Sequence, residues 1–293
     1  MLDKIRLKAL EKGFTGIGFS RPVRPLFFDE FRLWISSGKN AGMSWMERNI
    51  DIRQDPLKLL SGCRAVISLA YPYPNKKPST EDGFTLARYS TPDADDYHIR
   101  LRNKCRDISD FIGELYAGSK SRILVDSAPI LERSFAYSSG MGFIGKNNML
   151  IIPGYGSYFY LAEIITTAPV DSPIVEPVRD LCGSCTKCID SCPAGALKGP
   201  RDFNSANCLS YLTIECKQDI DRSVGKYMNK CFLGCDICQE VCPHNKGKML
   251  NKIMPPSDEI LGMSNETFIR MYGKTALSRP GLEKIKSNIK CLI

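Results

Sequence analysis

Cys182-Gly-Ser-Cys185-Thr-Lys-Cys188-Ile-Asp-Ser-Cys192-Pro193 sets four thiols in one short segment, and Cys235-Asp-Ile-Cys238-Gln-Glu-Val-Cys242-Pro243 sets three more. Thiolates spaced C-x₂-C-x₂-C-x₃-C-P cap a cubane [4Fe–4S] cluster, and the fourth cysteine of such a run serves the other cluster of a pair. The proline after the last cysteine turns the chain away from a helix. By this crossover one cluster takes Cys182, Cys185, Cys188 and Cys242. The other takes Cys192, Cys235, Cys238 and one upstream thiol, for which Cys208, Cys216 and Cys231 are available. Zinc sites rarely use this pattern, and seven cysteines cannot be paired off as disulfides. The chemistry is one-electron transfer.

A chain of 293 residues, 43% hydrophobic, has room for one large domain and a small one. No stretch approaches the roughly 18 apolar residues of a membrane span. The start, MLDKIRLKALEKGF, is charged and amphipathic without an apolar core, so no secretory signal is expected. Thirteen cysteines then suit a reducing cytoplasm, where thiols serve metals. The formal charge is +8; two clusters at about −2 each bring the holoprotein to roughly +4. That permits a polyanionic partner without requiring one.

The elements that position these residues alternate. Helices are expected over 2–12, 26–36, 94–117 and 129–138, the last with Pro129 in its first turn. Strands are expected over 15–19, 64–70 and 122–128, with 149–153 and 158–167 forming a hairpin around Gly154 and Gly156. A Pro-rich loop covers 71–80, and 168–180, with Pro169, Pro173 and Pro177, forms a linker. The fold class is therefore α/β (α+β): an α/β layer domain over 1–175, a ferredoxin-like double [4Fe–4S] domain over 176–250, and a helical tail over 251–293.

Gly140-Met-Gly142-Phe-Ile-Gly145-Lys146-Asn147 matches G-x-G-x-x-G and nearly matches a P-loop. A helix precedes it and a strand follows, the reverse of a dinucleotide turn, and Asn147 stands where a P-loop has Ser or Thr. It reads instead as a helix end with Gly140 left-handed.

Together these residues resemble the epoxyqueuosine reductase family of queuosine tRNA modification. The resemblance rests on Asp126-Ser-Ala-Pro129-Ile-Leu-Glu132-Arg133, on Gly140 to Asn147, on Cys208-Leu-Ser-Tyr-Leu-Thr-Ile-Glu215, and on Gly234 to Pro243. Arg53-x-Asp55-Pro56, Arg88-Tyr89 and Asp96-Tyr97-His98 extend it. It implies Cys208 as the eighth ligand and a base-off corrinoid (cobalamin) in the N-terminal domain, related to the fold of reductive dehalogenases. It also implies tRNA as substrate and an external donor of ferredoxin or flavodoxin type. Three features differ from the family pattern. Thr91–Asp95 is longer, His244-Asn245 replaces Trp-Asn, and the chain stops where members continue into helical repeats, so either another surface or partner would hold tRNA or this short version would act on another substrate.

The implied reaction turns an epoxide into an alkene and needs a proton at the departing oxygen. Asp126, after a strand, is the expected donor, its carboxyl kept protonated by burial; the plainer reading is a cap on the following helix. Glu132 and Arg133 are expected to brace the cleft. Arg53, Tyr97, His98, Lys146 and Asn147 are expected corrinoid contacts, and Ser210 and Lys217 substrate contacts. An electron-transfer or corrinoid-reducing protein, or a dehalogenase-like enzyme, is the alternative.

Overall fold

Mostly apolar runs such as AVISLA and AEIIT are what strands covered on both faces require, and they form the centre of the first of two units. The computed structural model describes residues 1–74, 76–170, 174–247 and 249–293, so Pro173 of the expected linker lies outside the described residues. In chain order the elements are α1 (Leu2–Glu11), β1 (Gly16–Ser20), α2 (Phe28–Ser36), α3 (Ile50–Gln54), β2 (Ala65–Pro72), β3 (Lys77–Thr80), β4 (Thr85–Leu86) and α4 (Tyr97–Leu115). Next come β5 (Ser121–Leu124), α5 (Glu132–Ser138), β6 (Phe143–Ile144), β7 (Leu150–Ile151), β8 (Phe159–Thr166), α6 (Lys187–Asp190), β9 (Leu197–Gly199) and β10 (Asp202–Phe203). The chain closes with α7 (Leu209–Ile214), α8 (Arg222–Gly225), β11 (Cys231–Leu233), α9 (Ile237–Glu240), β12 (Leu250–Met254), α10 (Ser257–Gly262), α11 (Asn265–Tyr272) and α12 (Leu282–Lys290).

The first unit comprises residues 1–38, 44–72 and 98–183. Its sheet runs β1-β2-β8-β5, every pair antiparallel. β2 and β8 are the inner strands. Ser68 and Glu163 face each other in their register, both fully buried, and are a polar seam in an otherwise apolar centre. On α4, Leu101, Cys105, Ile108 and Ile112 are buried at spacings of four, three and four, the stripe of a helix lying on a core. Phe135 of α5 joins Val66, Leu124, Ile130 and Ile165 in one cluster.

Three sequence expectations change in this unit. The strand before Asp126 ends at Leu124 and α5 begins at Glu132, not Pro129. The Ser127 N–H bonds back to Val125 O and the Ile130 N–H to Ala128 O, tight turns on either side of the proline that keep the segment out of a helix. The expected 149–167 hairpin is not formed. β7 pairs with β6, while β8 is taken up between β2 and β5, where both its faces are covered; a single Ile152–Gly156 bridge remains near the turn.

The second unit comprises residues 39–43, 73–97 and 184–293. Its larger sheet runs β11-β4-β3-β12, with β3 and β4 antiparallel and the outer pairs parallel. The Pro-rich stretch read as loop thus contains β3. Only Ser79 of β3 pairs with β4, which leaves the missing Pro78 donor without consequence there. The tail read as helical opens with a strand, β12, before α10, α11 and α12. Ile260, Phe268, Leu282, Ile285 and Ile289 of those helices cover Leu86, Phe232 and Leu233. Each cysteine run closes on one short helix, α6 holding Cys188 and α9 holding Cys238, and the two helices pack together.

Candidate active site and cluster ligands

Asp126 follows the end of an edge strand, and its backbone is bent into the left-handed region, φ +53°. Non-glycine residues rarely hold that conformation unless neighbours impose it. Two groups do so here. The Asp126 N–H donates to Glu132 Oε1 at 2.7 Å, and Asp126 Oδ2 meets His98 Nε2 at 3.0 Å. Nearby, Arg102 donates to the Ser127 hydroxyl. Asp126 does not cap α5, whose N-cap is Leu131 without a side-chain bond.

The Asp126 side chain is 58% exposed, so the buried carboxyl expected at this position is not what the unit holds. Two acids lie behind it, Glu163 fully buried and Glu132 half-buried. Burial pushes the Glu132 carboxyl up to about 7, and the Asp126 charge adds to this; the Asp126 N–H and the Glu163 side chain pull the other way. Glu163 is held well above the carboxylate range, first by burial and then by the Glu132 charge. Both Glu163 oxygens are buried without a hydrogen-bond partner among the described residues, a setting that favours the protonated acid.

Arg53 is buried on α3, its guanidinium 5.7 Å from the Phe31 ring centre; burial lowers its pKa and the Glu132 charge opposes that. Its Nε is buried without an acceptor among the described residues. Arg133 donates to the Asn148 carbonyl, and its charge favours the ionised Glu132. Lys146 donates to the Gly183 carbonyl at 2.7 Å, and Asn147 Oδ1 accepts the Met149 N–H. A Cβ on Gly142 would lie 2.3 Å from Ile151 O, so this glycine serves the tight β6–β7 approach. Gly140 does sit left-handed after α5, φ +74°.

In the second unit the thiols are gathered by burial and by N–H groups at helix starts. Burial pushes the Cys188 thiol up, with Cys242 and Cys185 adding to the shift, while the N–H groups of Cys188 and Ile189 favour the thiolate. Burial likewise raises Cys208, with Cys192 beside it and the Ser210 and Tyr211 N–H groups opposing. Burial raises Cys238 too, and Cys208 and Cys192 lead the charges that add to it. Cys231 and Cys208 are both neighbours of Cys235, Cys231 with the larger effect. Cys231 is different: burial pushes it up to about 11, and its sulfur points at the Leu233 and Gly234 carbonyls. Among the described residues no three His, Cys, Asp or Glu side chains could hold a single metal ion. Cys182 falls in the first unit, its N–H bound to Asp180.

Tyr97, also in the second unit, meets Tyr89 edge-on at 6.3 Å. Ser210 is partly buried on α7, beside Cys208, and Lys217 is exposed. Glu215 between them is held by Arg279 through two nitrogens. The residue missed from sequence is Glu163. Its signal was a lone acid inside an apolar strand.

A mixed α/β unit with a carboxylate–imidazole pair at a strand end, joined to a module of two ferredoxin-type cysteine runs, defines an iron–sulfur oxidoreductase. Residues 181–245 match the model of the 4Fe-4S double cluster binding domain, and residues 53–127 that of epoxyqueuosine reductase QueG, DUF1730. An epoxyqueuosine reductase of Cellulophaga algicola is 32% identical over 99% of this chain and 97% of its own length. The chain belongs to the epoxyqueuosine reductase family. A solved epoxyqueuosine reductase with a tRNA-Tyr epoxyqueuosine-modified tRNA stem loop superposes with a TM-score of 0.88 at 31% identity, over 99% of this chain and 80% of that one. The Bacillus subtilis enzyme, solved with an aspartate catalytic loop swung out of its active site, superposes with a TM-score of 0.87 at 30% identity, over the same shares. No helix among the described residues is long and apolar enough to cross a membrane.

Proposed function

We propose that this chain reduces epoxyqueuosine to queuosine in tRNA, with Asp126 delivering a proton to the departing epoxide oxygen. The balance is two electrons and two protons in, one alkene and one water out. The observation that carries the reading is the His98–Asp126 pair on a bent, exposed strand-end loop, in a chain of the reductase family. The loop that swings out in the Bacillus subtilis structure is named there for its catalytic aspartate. A tRNA stem loop is the partner of the other solved relative. A relative of comparable length carries the same enzyme name, which supports tRNA as substrate for a chain of this extent.

The cysteines divide as Cys182, Cys185, Cys188 and Cys242 for one cluster and Cys192, Cys208, Cys235 and Cys238 for the other. The proximity of Cys208 to Cys192 and Cys238, and the N–H groups aimed at its sulfur, support it over Cys216 and Cys231. A ferredoxin or flavodoxin is the expected external donor. Thirteen cysteines, none in a disulfide, fit a reducing cytoplasm.

The residues of the first unit fit a corrinoid in donor chemistry: the buried Arg53 Nε has no acceptor among the described residues, and amide-rich corrin side chains supply acceptors. When bound, that group would supply reduced cobalt for the electron transfer to the substrate. His98 orients the Asp126 carboxyl through its 3.0 Å hydrogen bond, and the imidazole is suited to return a proton to it after each turnover. Lys146 and Asn147 serve the glycine-rich turn, and Tyr97, Ser210 and Lys217 are left as contacts of corrinoid or substrate for test.

The test is anaerobic reconstitution with iron, sulfide and cobalamin, incubation with epoxyqueuosine tRNA and a low-potential reductant, and mass spectrometry of the nucleosides. Conversion to queuosine is expected. Retention of epoxyqueuosine by a fully loaded protein overturns the substrate.

A further inference from the structure

The bent loop at Asp126 is not fastened to the sheet by its N–H. That bond goes to a side chain, Glu132 Oε1, at 2.7 Å. Glu132 is the first residue of α5, and on β8 Glu163, fully buried opposite Ser68 and Leu124, lies near enough for the two carboxyls to influence each other. The order from the core outward is therefore Glu163, Glu132, the Asp126 backbone, and the Asp126 carboxyl on His98. The donor role of Asp126 uses neither glutamate. A fully buried acid without a hydrogen-bond partner among the described residues, set behind a strained residue, is costly to keep and calls for an account.

We propose that Glu132 and Glu163 form a carboxyl latch that holds Asp126 in the bent conformation in which it meets His98, and that the latch closes with uptake of a proton. Glu132 is thus a positioning residue for the reaction. This rests on Asp126 being the proton donor.

The direction of the proton coupling follows from what faces Glu132. Burial and the Asp126 charge raise its pKa, and they outweigh the Asp126 N–H, the Glu163 side chain and the Arg133 charge, which lower it. Arg53 of α3 also faces it. Glu163 in turn faces Ser68 of β2, and its charge is felt by the buried Cys105 of α4. His98 of α4 faces Asp126. When the loop leaves, the Asp126 charge goes and water reaches Glu132, so the open form holds the proton less tightly. By linkage the closed loop is favoured below about 7 and loosened as pH rises through that value. A protonated Glu132 keeps a carbonyl oxygen for the Asp126 N–H, so the bond survives the protonation that favours closure.

The measurement is hydrogen exchange, read by mass spectrometry on peptides spanning residues 121–131 of the cluster-loaded chain and corrected for intrinsic exchange at each pH. In the wild type, protection of the loop is expected to be greater at pH 6 than at pH 8. Glu132→Ala should lose about tenfold in protection at both values, as loss of one hydrogen bond to a carboxyl group implies. Glu132→Gln keeps an acceptor oxygen without a charge, so it should hold the loop closed and erase the pH dependence. Because Glu132→Gln is nearly isosteric, it decides the matter even if the alanine variant does not fold. A pH dependence unchanged in Glu132→Gln would belong to His98 and overturn the proposal, as would wild-type protection in Glu132→Ala. Turnover by Asp126→Asn is a separate readout: if that variant stays active, the donor role fails, while the exchange data still report whether the latch exists.

Discussion

His98 and Asp126 stand 28 residues apart in the chain, yet Nε2 of one lies 3.0 Å from Oδ2 of the other. His98 sits in the first turn of α4 and Asp126 just past β5, so the sheet and the helix on it set this distance. An acid oriented by an imidazole contributes typically 10²–10⁴-fold to a proton-dependent step. Asp126→Asn retains a hydrogen-bonding side chain but no transferable acid proton. Turnover should therefore fall by at least about a hundredfold, with the cluster absorption near 400 nm (roughly where [4Fe–4S] proteins absorb) unchanged. Activity within a factor of two or so of wild type would remove Asp126 from the chemistry. His98→Ala should lower turnover and flatten its pH profile.

The buried Glu163 makes stability depend on pH in an unusual direction. Glu132 and Glu163 bind protons more tightly in the fold than in the unfolded chain. Their contribution is fully present below the ordinary carboxylate range. It is lost as pH rises, through about 7 for Glu132 and further for Glu163. Glu163→Gln mimics the protonated acid, so at pH 8 it should be more stable than wild type by at least about 1 kcal/mol, one pKa unit being worth about 1.4. Urea denaturation at pH 6 and pH 8 checks this. The gain should shrink at the lower pH, and a variant less stable at pH 8 contradicts a protonated Glu163.

The glycine-rich segment is decided by Gly142. A Cβ there would lie 2.3 Å from the Ile151 carbonyl oxygen, a backbone atom that cannot swing away. Gly142→Ala should destabilise the first unit by about 1–3 kcal/mol, as overpacking does, and lower the thermal midpoint without ligand present. An unchanged midpoint with loss of nucleotide or cofactor affinity would restore the phosphate-binding reading that the motif suggests.

Lys77 tests the buried charges of the second unit. Its ammonium lies 2.7 Å from Glu240 and 3.4 Å from Asp236, and Asp236 also accepts the Arg88 N–H. Lys77→Met leaves two acids without their cation, and breaking such a pair costs about 3–5 kcal/mol. The expected result is a protein that unfolds at lower denaturant, with the loss recovered in part by Lys77→Met with Asp236→Asn. Wild-type stability in the single variant would show the charges to be solvated.

What the sequence made readable was local chemistry. The spacing around Cys185 and Cys188 specifies a cluster loop whatever the rest of the fold does, and the run at Ala65–Ala70 specifies a buried strand. What it did not make readable depended on distant partners. Pro78 argued for a loop because proline lacks a ladder donor, but β12 supplies pairing on the side where that matters less. Pro129 argued for a helix start because its φ suits a first turn, but the turn bonds at Ser127 and Ile130 keep the chain out of a helix until Glu132, three residues later, opens α5. Glu163 stood in plain view as an acid within an apolar run. Its meaning came only with Glu132, 31 positions earlier, brought beside it by α5.

The eighth cluster ligand is the last case, and spacing alone left three thiols open. Cys231 points its sulfur at backbone carbonyls and holds its proton up to about 11, while Cys216 follows α7 at its C-terminal end. Cys208 precedes α7, where the Ser210 and Tyr211 N–H groups stabilise a thiolate, and it lies among Cys192, Cys235 and Cys238. Cys208→Ser should therefore lose one cluster, falling from about eight irons per chain to about four, with the other cluster's electron paramagnetic resonance signal retained on reduction. Cys216→Ser and Cys231→Ser should keep the full iron content. If Cys208→Ser keeps both clusters and Cys231→Ser loses one, the second cluster is anchored by the strand β11 rather than by the start of α7, and the reconstituted wild type and Cys231→Ser proteins would differ in iron by the same half.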